Sequence, residues 1–135
     1  MRMTPLFVLV CAALAWSQVS EPEHNVECVT HLRLPGYTPI SRGARMMGTA
    51  SVSVGVAGDG QPLTIDVQGV PKLLRDTITE SLRLSAYSPS CSGKLVRLIF
   101  EFRVAGEPAA NPKSEVWFHP PNRFSIITAP ALPMP

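Results

Sequence analysis

The side chains best suited to chemistry are few and widely spaced along this 135-residue chain. Two carboxylates, Asp66 and Glu101, fall on the polar faces of predicted strands, where a close pair could act as general acid and base. No motif for an activated nucleophile, a phosphate-binding loop or a catalytic zinc ion accompanies them. The sequence therefore favours the interpretation that these two carboxylates are surface residues of a sheet with one buried face. It predicts no catalytic residue and no cofactor.

The histidines could bind a metal ion only with further ligands nearby. Cys28 and His31 have a spacing found in metal sites, but the chain offers no second pair at ligand spacing. His24 lies in the same N-terminal arm, and His119 stands alone beside a proline. We interpret these side chains as solvated histidines, those of the arm in a flexible segment, and predict no metal site.

The chain has three cysteines, Cys11, Cys28 and Cys91. Removal of Cys11 with a leader would leave Cys28 and Cys91 as the only pair in an exported protein, and such pairs form disulfides in oxidising compartments. We predict this disulfide, with two free thiols as the alternative. The bridge would close a loop of about sixty residues, which the chain-entropy model values at roughly 4 kcal/mol.

Residues 1–17 have the pattern of a secretory signal peptide. A short positive start precedes an uncharged apolar run at 6–16, and Ala15-Trp16-Ser17 is a small-x-small cleavage site. The mature chain would begin at Gln18 and be periplasmic or secreted. The alternative is an inner-membrane anchor formed by residues 5–17, although a membrane-spanning helix needs about 20 apolar residues.

The elements that would position polar side chains lie between Gly48 and Val104. Apolar and polar residues alternate in 48–56 and again in 63–68, and Gly58-Asp59-Gly60 between them is typical of a hairpin turn. Apolar residues at helical spacing predict an amphipathic helix over 71–86, and the clearest strand is 95–104. The side chains predicted to face the core are Val52, Val54, Val56, Leu74, Ile78, Leu82, Val96, Leu98, Phe100, Phe102 and Val104.

This order of elements, ββαβ, predicts an α+β fold. The hairpin reverses the chain and the helix carries it back, so the third strand pairs beside the first in a small antiparallel sheet of order 2-1-3. One main helix covers one face of the sheet. The third strand is then a long, regular edge without proline, where another strand could add.

These residues resemble the C-terminal domain of the TonB energy-transducer family over residues 34–104. The similar motifs are the segment from Tyr37 to Thr49, the hairpin Val56-Ala-Gly-Asp59-Gly60, the helix start at Val67-Gln-Gly69, and the helix end before Pro89. Ser85 and Ala86 replace the tryptophan–arginine pair that the family has near its helix end.

The resemblance implies capture of an extended peptide. In that family the domain binds a short peptide of outer-membrane transporters and transmits energy from the inner membrane. The docking strand would be residues 95–104. Its exposed face would present Leu95, Arg97, Ile99, Glu101 and Arg103. Because a released domain could transmit no force, we expect an exported, stand-alone domain that binds a peptide or protein of the cell envelope, with an outer-membrane transporter as one candidate.

The remaining segments divide the chain further. Residues 18–34 form an N-terminal arm, 35–105 the domain, and 106–135 a proline-rich tail with one or two short strands. Phe124-Ser125-Ile126 alternates and could pair with an exposed sheet edge. The alternative function is therefore a structural module whose edge is covered by its own tail or by strand exchange in a homodimer.

The charge pattern argues against a nucleic-acid partner. The formal net charge is +2, with 12 lysines and arginines against 10 acidic residues. These cations are scattered and form no basic patch with interleaved aromatic residues. We therefore expect a peptide or protein partner.

Overall fold

A computed structural model describes residues 23–133, so the predicted signal peptide lies outside the described residues. The elements in chain order are β1 (Val29–His31), α1 (Pro39–Gly43), β2 (Gly48–Val56), β3 (Pro62–Gln68), α2 (Lys72–Arg83), β4 (Ala86–Tyr87), β5 (Leu95–Val104), β6 (Glu115–His119) and β7 (Arg123–Thr128). Short 3-10 turns occupy Val26–Cys28 and Pro89–Cys91. Within 23–133, neither helix is long and apolar enough to cross a membrane.

The predicted hairpin is confirmed in β2 and β3, which pair antiparallel. Gly60 in its turn has a φ of +82°, a conformation that favours glycine. A Cβ there would lie 2.6 Å from the carbonyl oxygen of Tyr87. The Asp59 carboxylate accepts a hydrogen bond from the N–H of Gln61 at 3.0 Å. Backbone conformation and close packing both select this turn sequence.

The main helix is also confirmed, although it is shorter than predicted. Leu74, Ile78 and Leu82 are fully buried on one face of α2, as their spacing requires. The helix ends at Arg83, and β4 begins at Ala86. β4 pairs with β1 in a separate two-stranded sheet. The helical expectation for residues 84–86 is therefore wrong, because Ala86 is drawn into pairing with His31.

The main sheet is larger than predicted and is mixed. Its five strands lie in the order β3-β2-β5-β7-β6, and every neighbouring pair is antiparallel except β5 and β7. The expectation of a small, all-antiparallel sheet is wrong because the tail adds two strands. Ile126 on β7 is fully buried and lies opposite Phe102 of β5. The tail is thus part of the hydrophobic core.

The predicted disulfide between Cys28 and Cys91 is confirmed, with 5.9 Å between the Cα atoms. It joins the turn before β1 to the turn before β5. Both cysteines are buried, and the N–H of Ser88 donates to the carbonyl of Cys28 at 2.8 Å. The bridge therefore fixes the N-terminal arm on the domain.

Candidate functional site

The strand predicted to accept a partner, β5, lies in the centre of the sheet. β2 pairs with one side of β5 from Leu95 to Phe102, and β7 pairs with the other side from Ile99 to Val104. Prediction of an open edge along residues 95–104 is therefore wrong. A strand cannot add where another strand is already hydrogen-bonded.

The part of β5 that β7 does not reach is closed by other segments. The N–H of Arg97 donates to the carbonyl of His24 at 2.9 Å, and the side-chain amide of Asn25 donates to the carbonyl of Leu95 at 2.8 Å. The N–H of Ile99 donates to the carbonyl of Asn122 at 2.9 Å. The N-terminal arm, expected to be flexible, is thus bonded to β5.

The five predicted site residues alternate along β5 and share the sheet face opposite α2. They are Leu95, Arg97, Ile99, Glu101 and Arg103, each half-buried or exposed. In the Glu101 carboxylate, Oε1 lies 3.6 Å from Nε of Arg103, and Oε2 lies 3.6 Å from Nη1 of Arg123 on β7. Such solvent-exposed ion pairs contribute only about 0–1 kcal/mol each. These residues form a polar surface and not a docking edge.

The two carboxylates considered as an acid–base pair are not brought together. Asp66 lies opposite Ser53, and Ser53 lies opposite Arg97, so Glu101 is four residues further along β5. Within residues 23–133, no group of three histidine, cysteine or acidic side chains is placed to hold a metal ion. The described geometry offers no grouping of these side chains for acid–base work.

The hydroxyl groups of two tyrosines have raised pKa values, and both hydroxyls have structural roles. Burial raises the pKa of Tyr37 to about 12, and its hydroxyl donates to the carbonyl of Met46 at 2.6 Å. Burial also raises the pKa of Tyr87 to about 12, against a lowering contribution from a hydrogen bond with Ser85. The hydroxyl of Tyr87 donates to the carbonyl of Leu82 at 2.9 Å. Both groups remain protonated near neutral pH.

The terminal strands of the main sheet are β3 and β6. They differ in how well their sequences protect the sheet edge from pairing with a strand of another chain. β3 begins with Pro62, which has no N–H, and carries the charged Asp66 at its middle. β6 contains neither proline nor lysine, and all of its residues are exposed. β6 is therefore the more available edge for strand addition.

β6 carries exposed apolar side chains on both faces of the sheet. Val116 and Phe118 lie opposite Ile126 and Phe124, on the α2 side, with 4.9 Å between the two phenylalanine rings. Trp117 points to the other side. The exposed fractions are 39% for Val116, 58% for Trp117 and 50% for Phe118. An edge with this composition is typical of a protein-binding surface.

An apolar groove of about 300 Å³ adjoins this edge on the α2 side. Its walls come from the N-terminal arm, from β5 and from the two tail strands. The lining residues are Val26, Val29, Leu32, Leu34, Leu98, Phe118 and Phe124. Phe118 belongs to both the groove and the edge, so a partner on β6 would lie beside further apolar surface.

The loop between β6 and β7 is anchored by Asn122, whose side chain is buried. Its amide nitrogen lies 3.0 Å from the carbonyl oxygen of Arg97 and 3.0 Å from Nδ1 of His24. This contact connects the tail hairpin, β5 and the arm. No sequence pattern predicts this contact, because only the tertiary fold brings these segments together.

We predict that Asn122→Ala lowers the free energy of unfolding by about 1–3 kcal/mol, since the variant leaves the carbonyl of Arg97 without that donor. Urea unfolding followed by circular dichroism would measure the loss. Arg123→Ala is the matched control, because that exposed side chain makes only an ion pair with Glu101, worth about 0–1 kcal/mol. Equal losses in the two variants would contradict the anchoring role of Asn122.

No protein-family model, curated protein or solved structure matches the chain.

Proposed function

We propose that this protein is an exported interaction module that binds an extended segment of a cell-envelope protein by strand addition. The docking strand in this proposal is β6 and not β5. The observation that carries the proposal is the exposed edge of β6, with Val116, Trp117 and Phe118 uncovered beside an apolar groove. An incoming strand would satisfy the outward N–H and C=O groups of β6, and alternate side chains would select its sequence.

Two observations support the envelope location. Disulfides persist in oxidising compartments, and the Cys28–Cys91 bridge joins buried parts of this fold. The signal-peptide pattern in residues 1–17 agrees with export, with the membrane anchor over 5–17 as the alternative. The motif resemblance to the TonB C-terminal domain makes an outer-membrane transporter one candidate partner.

The β5–β7 pairing favours a second candidate function. Here the tail covers β5 from within the chain, and the domain is a structural module of the envelope that captures no peptide. The two functions differ in whether β6 binds other proteins.

Binding through β6 can be tested with short extended peptides from periplasmic and outer-membrane proteins, using amide chemical shifts of β6 as the readout. Trp117→Lys should weaken binding at least about tenfold, because it removes an aromatic anchor and places a charge on the edge. Leu63→Lys on β3 is the control, since Leu63 is also an exposed apolar edge residue. Peptides that shift β3 amides, or bind both variants equally, would refute the assignment to β6. A library without any binder would favour the structural module.

A further inference from the structure

We infer that the strand that pairs with β6 is the β6 of a second copy of this chain, so that the protein forms a two-fold symmetric dimer. This inference rests on the proposed strand addition at β6 and names the partner. Its basis is the sequence of the strand, Glu115-Val116-Trp117-Phe118-His119. Two copies of this sequence can pair antiparallel with complementary side chains opposite one another.

An antiparallel pair centred on Trp117 places each side chain opposite a suitable neighbour. Glu115 of one copy faces His119 of the other, so a carboxylate lies opposite an imidazole ring. Val116 faces Phe118, a β-branched residue opposite an aromatic ring, and the two tryptophans face each other. The aromatic–β-branched and aromatic–aromatic pairs stabilise strand pairing by about 0.2–1 kcal/mol each. Identical surfaces meeting in this way are the requirement for a two-fold interface.

Other registers satisfy fewer of these conditions. A shift of one residue would place the Val116 and Phe118 faces of the two copies on opposite sides of the joint sheet, because side chains alternate. A shift of two residues would leave one end of the strand opposite a tryptophan or a proline. Only the register centred on Trp117 uses the whole strand and pairs Glu115 with His119.

The dimer would also bury the exposed apolar groups of the edge. Val116 of the second copy would lie on the α2 side next to Phe118, which borders the apolar groove. The Trp117 pair would lie on the opposite side. The terminal strands of the joined main sheet would then be the two β3 strands, which carry Pro62 and Asp66. The less protected edge would thus be removed.

The oligomeric state of the purified exported chain tests the inference directly. Sedimentation at micromolar concentrations should give twice the mass of one chain. Trp117→Lys should raise the dissociation constant at least about 30-fold, because two ammonium groups would meet at the symmetry axis. Leu63→Lys should leave the dimer intact, and Trp117→Thr provides a second variant that keeps a strand-forming residue.

Cross-linking tests the register. Chains carrying Glu115→Cys, mixed with chains carrying His119→Cys, should form an intermolecular disulfide, since directly opposed residues are about 4.5–5.5 Å apart. Each variant alone should not, because like positions would be four residues out of register. The undisturbed Glu115–His119 pair at the other end keeps the mixed dimer intact.

The outcomes separate this inference from the proposed function. A monomer that binds envelope peptides through β6 would overturn the dimer and leave strand addition in place. A dimer that ignores Trp117→Lys would overturn the β6 interface, and one that cross-links between like positions would overturn the register centred on Trp117. A monomer that binds no peptide would overturn both.

Discussion

Replacing Cys28 and Cys91 with alanine is expected to lower the free energy of unfolding by about 4 kcal/mol. The bridge spans 63 residues of sequence, and cross-linking a loop of that length removes much of the conformational freedom of the unfolded chain. Single domains are stable by only about 5–15 kcal/mol, so the loss is large. Alanine avoids placing an unbonded hydroxyl at Cys28, which is fully buried.

Urea unfolding of the wild type with and without reductant, and of the double variant, would measure this contribution. The reduced wild type and the variant should unfold at similar urea concentrations, and reductant should not affect the variant. Hydrogen exchange at Arg97 should accelerate in both, because its N–H bonds to His24 in the arm that the bridge fixes. An oxidised wild type no more stable than the double variant would contradict the prediction.

The parts of the fold that the sequence predicted well are those governed by local patterns. Alternation located β2, β3 and β5, the period of α2 located its buried face, and turn chemistry located the hairpin. The disulfide followed from counting the cysteines of a chain that was predicted to be exported. Each of these inferences depends on residues that are close in sequence or, for the disulfide, on the one possible pairing of Cys28 with Cys91.

The position of β5 could not be predicted in the same way. Whether a regular strand is an edge or a centre depends on which distant segment pairs with it. β7 reaches β5 only after the chain has passed through β6 and a proline-containing loop. The alternation of Phe124, Ser125 and Ile126 showed that such pairing was possible, but it could not identify the partner strand. The small sheet of β1 and β4 is too short to give any pattern.

The candidate site was missed for the same reason. Val116, Trp117 and Phe118 are three consecutive apolar residues, and such a run fits a buried strand as well as an exposed edge. Only the strand order shows that β6 is terminal and that its aromatic side chains remain uncovered. The edge role moved from β5 to β6 because the tail added two strands.

Ile126→Ala is expected to lower the free energy of unfolding by about 2–5 kcal/mol, because Ile126 is fully buried on β7 and its truncation would leave a cavity. Ile127→Ala is a matched control in the next position of the same strand. Its side chain lies on the opposite face of the sheet and is only half-buried. The loss there should be clearly smaller, and the difference between the two variants measures how firmly β7 is packed in the core.

Urea unfolding would give both values, and hydrogen exchange at Ile99 to Val104 would show whether β5 becomes accessible in the Ile126 variant. A detached β7 would uncover a long, apolar edge on β5, so aggregation should increase in this variant but not in Ile127→Ala. Equal and small losses in both variants would mean that β7 contributes little to the core.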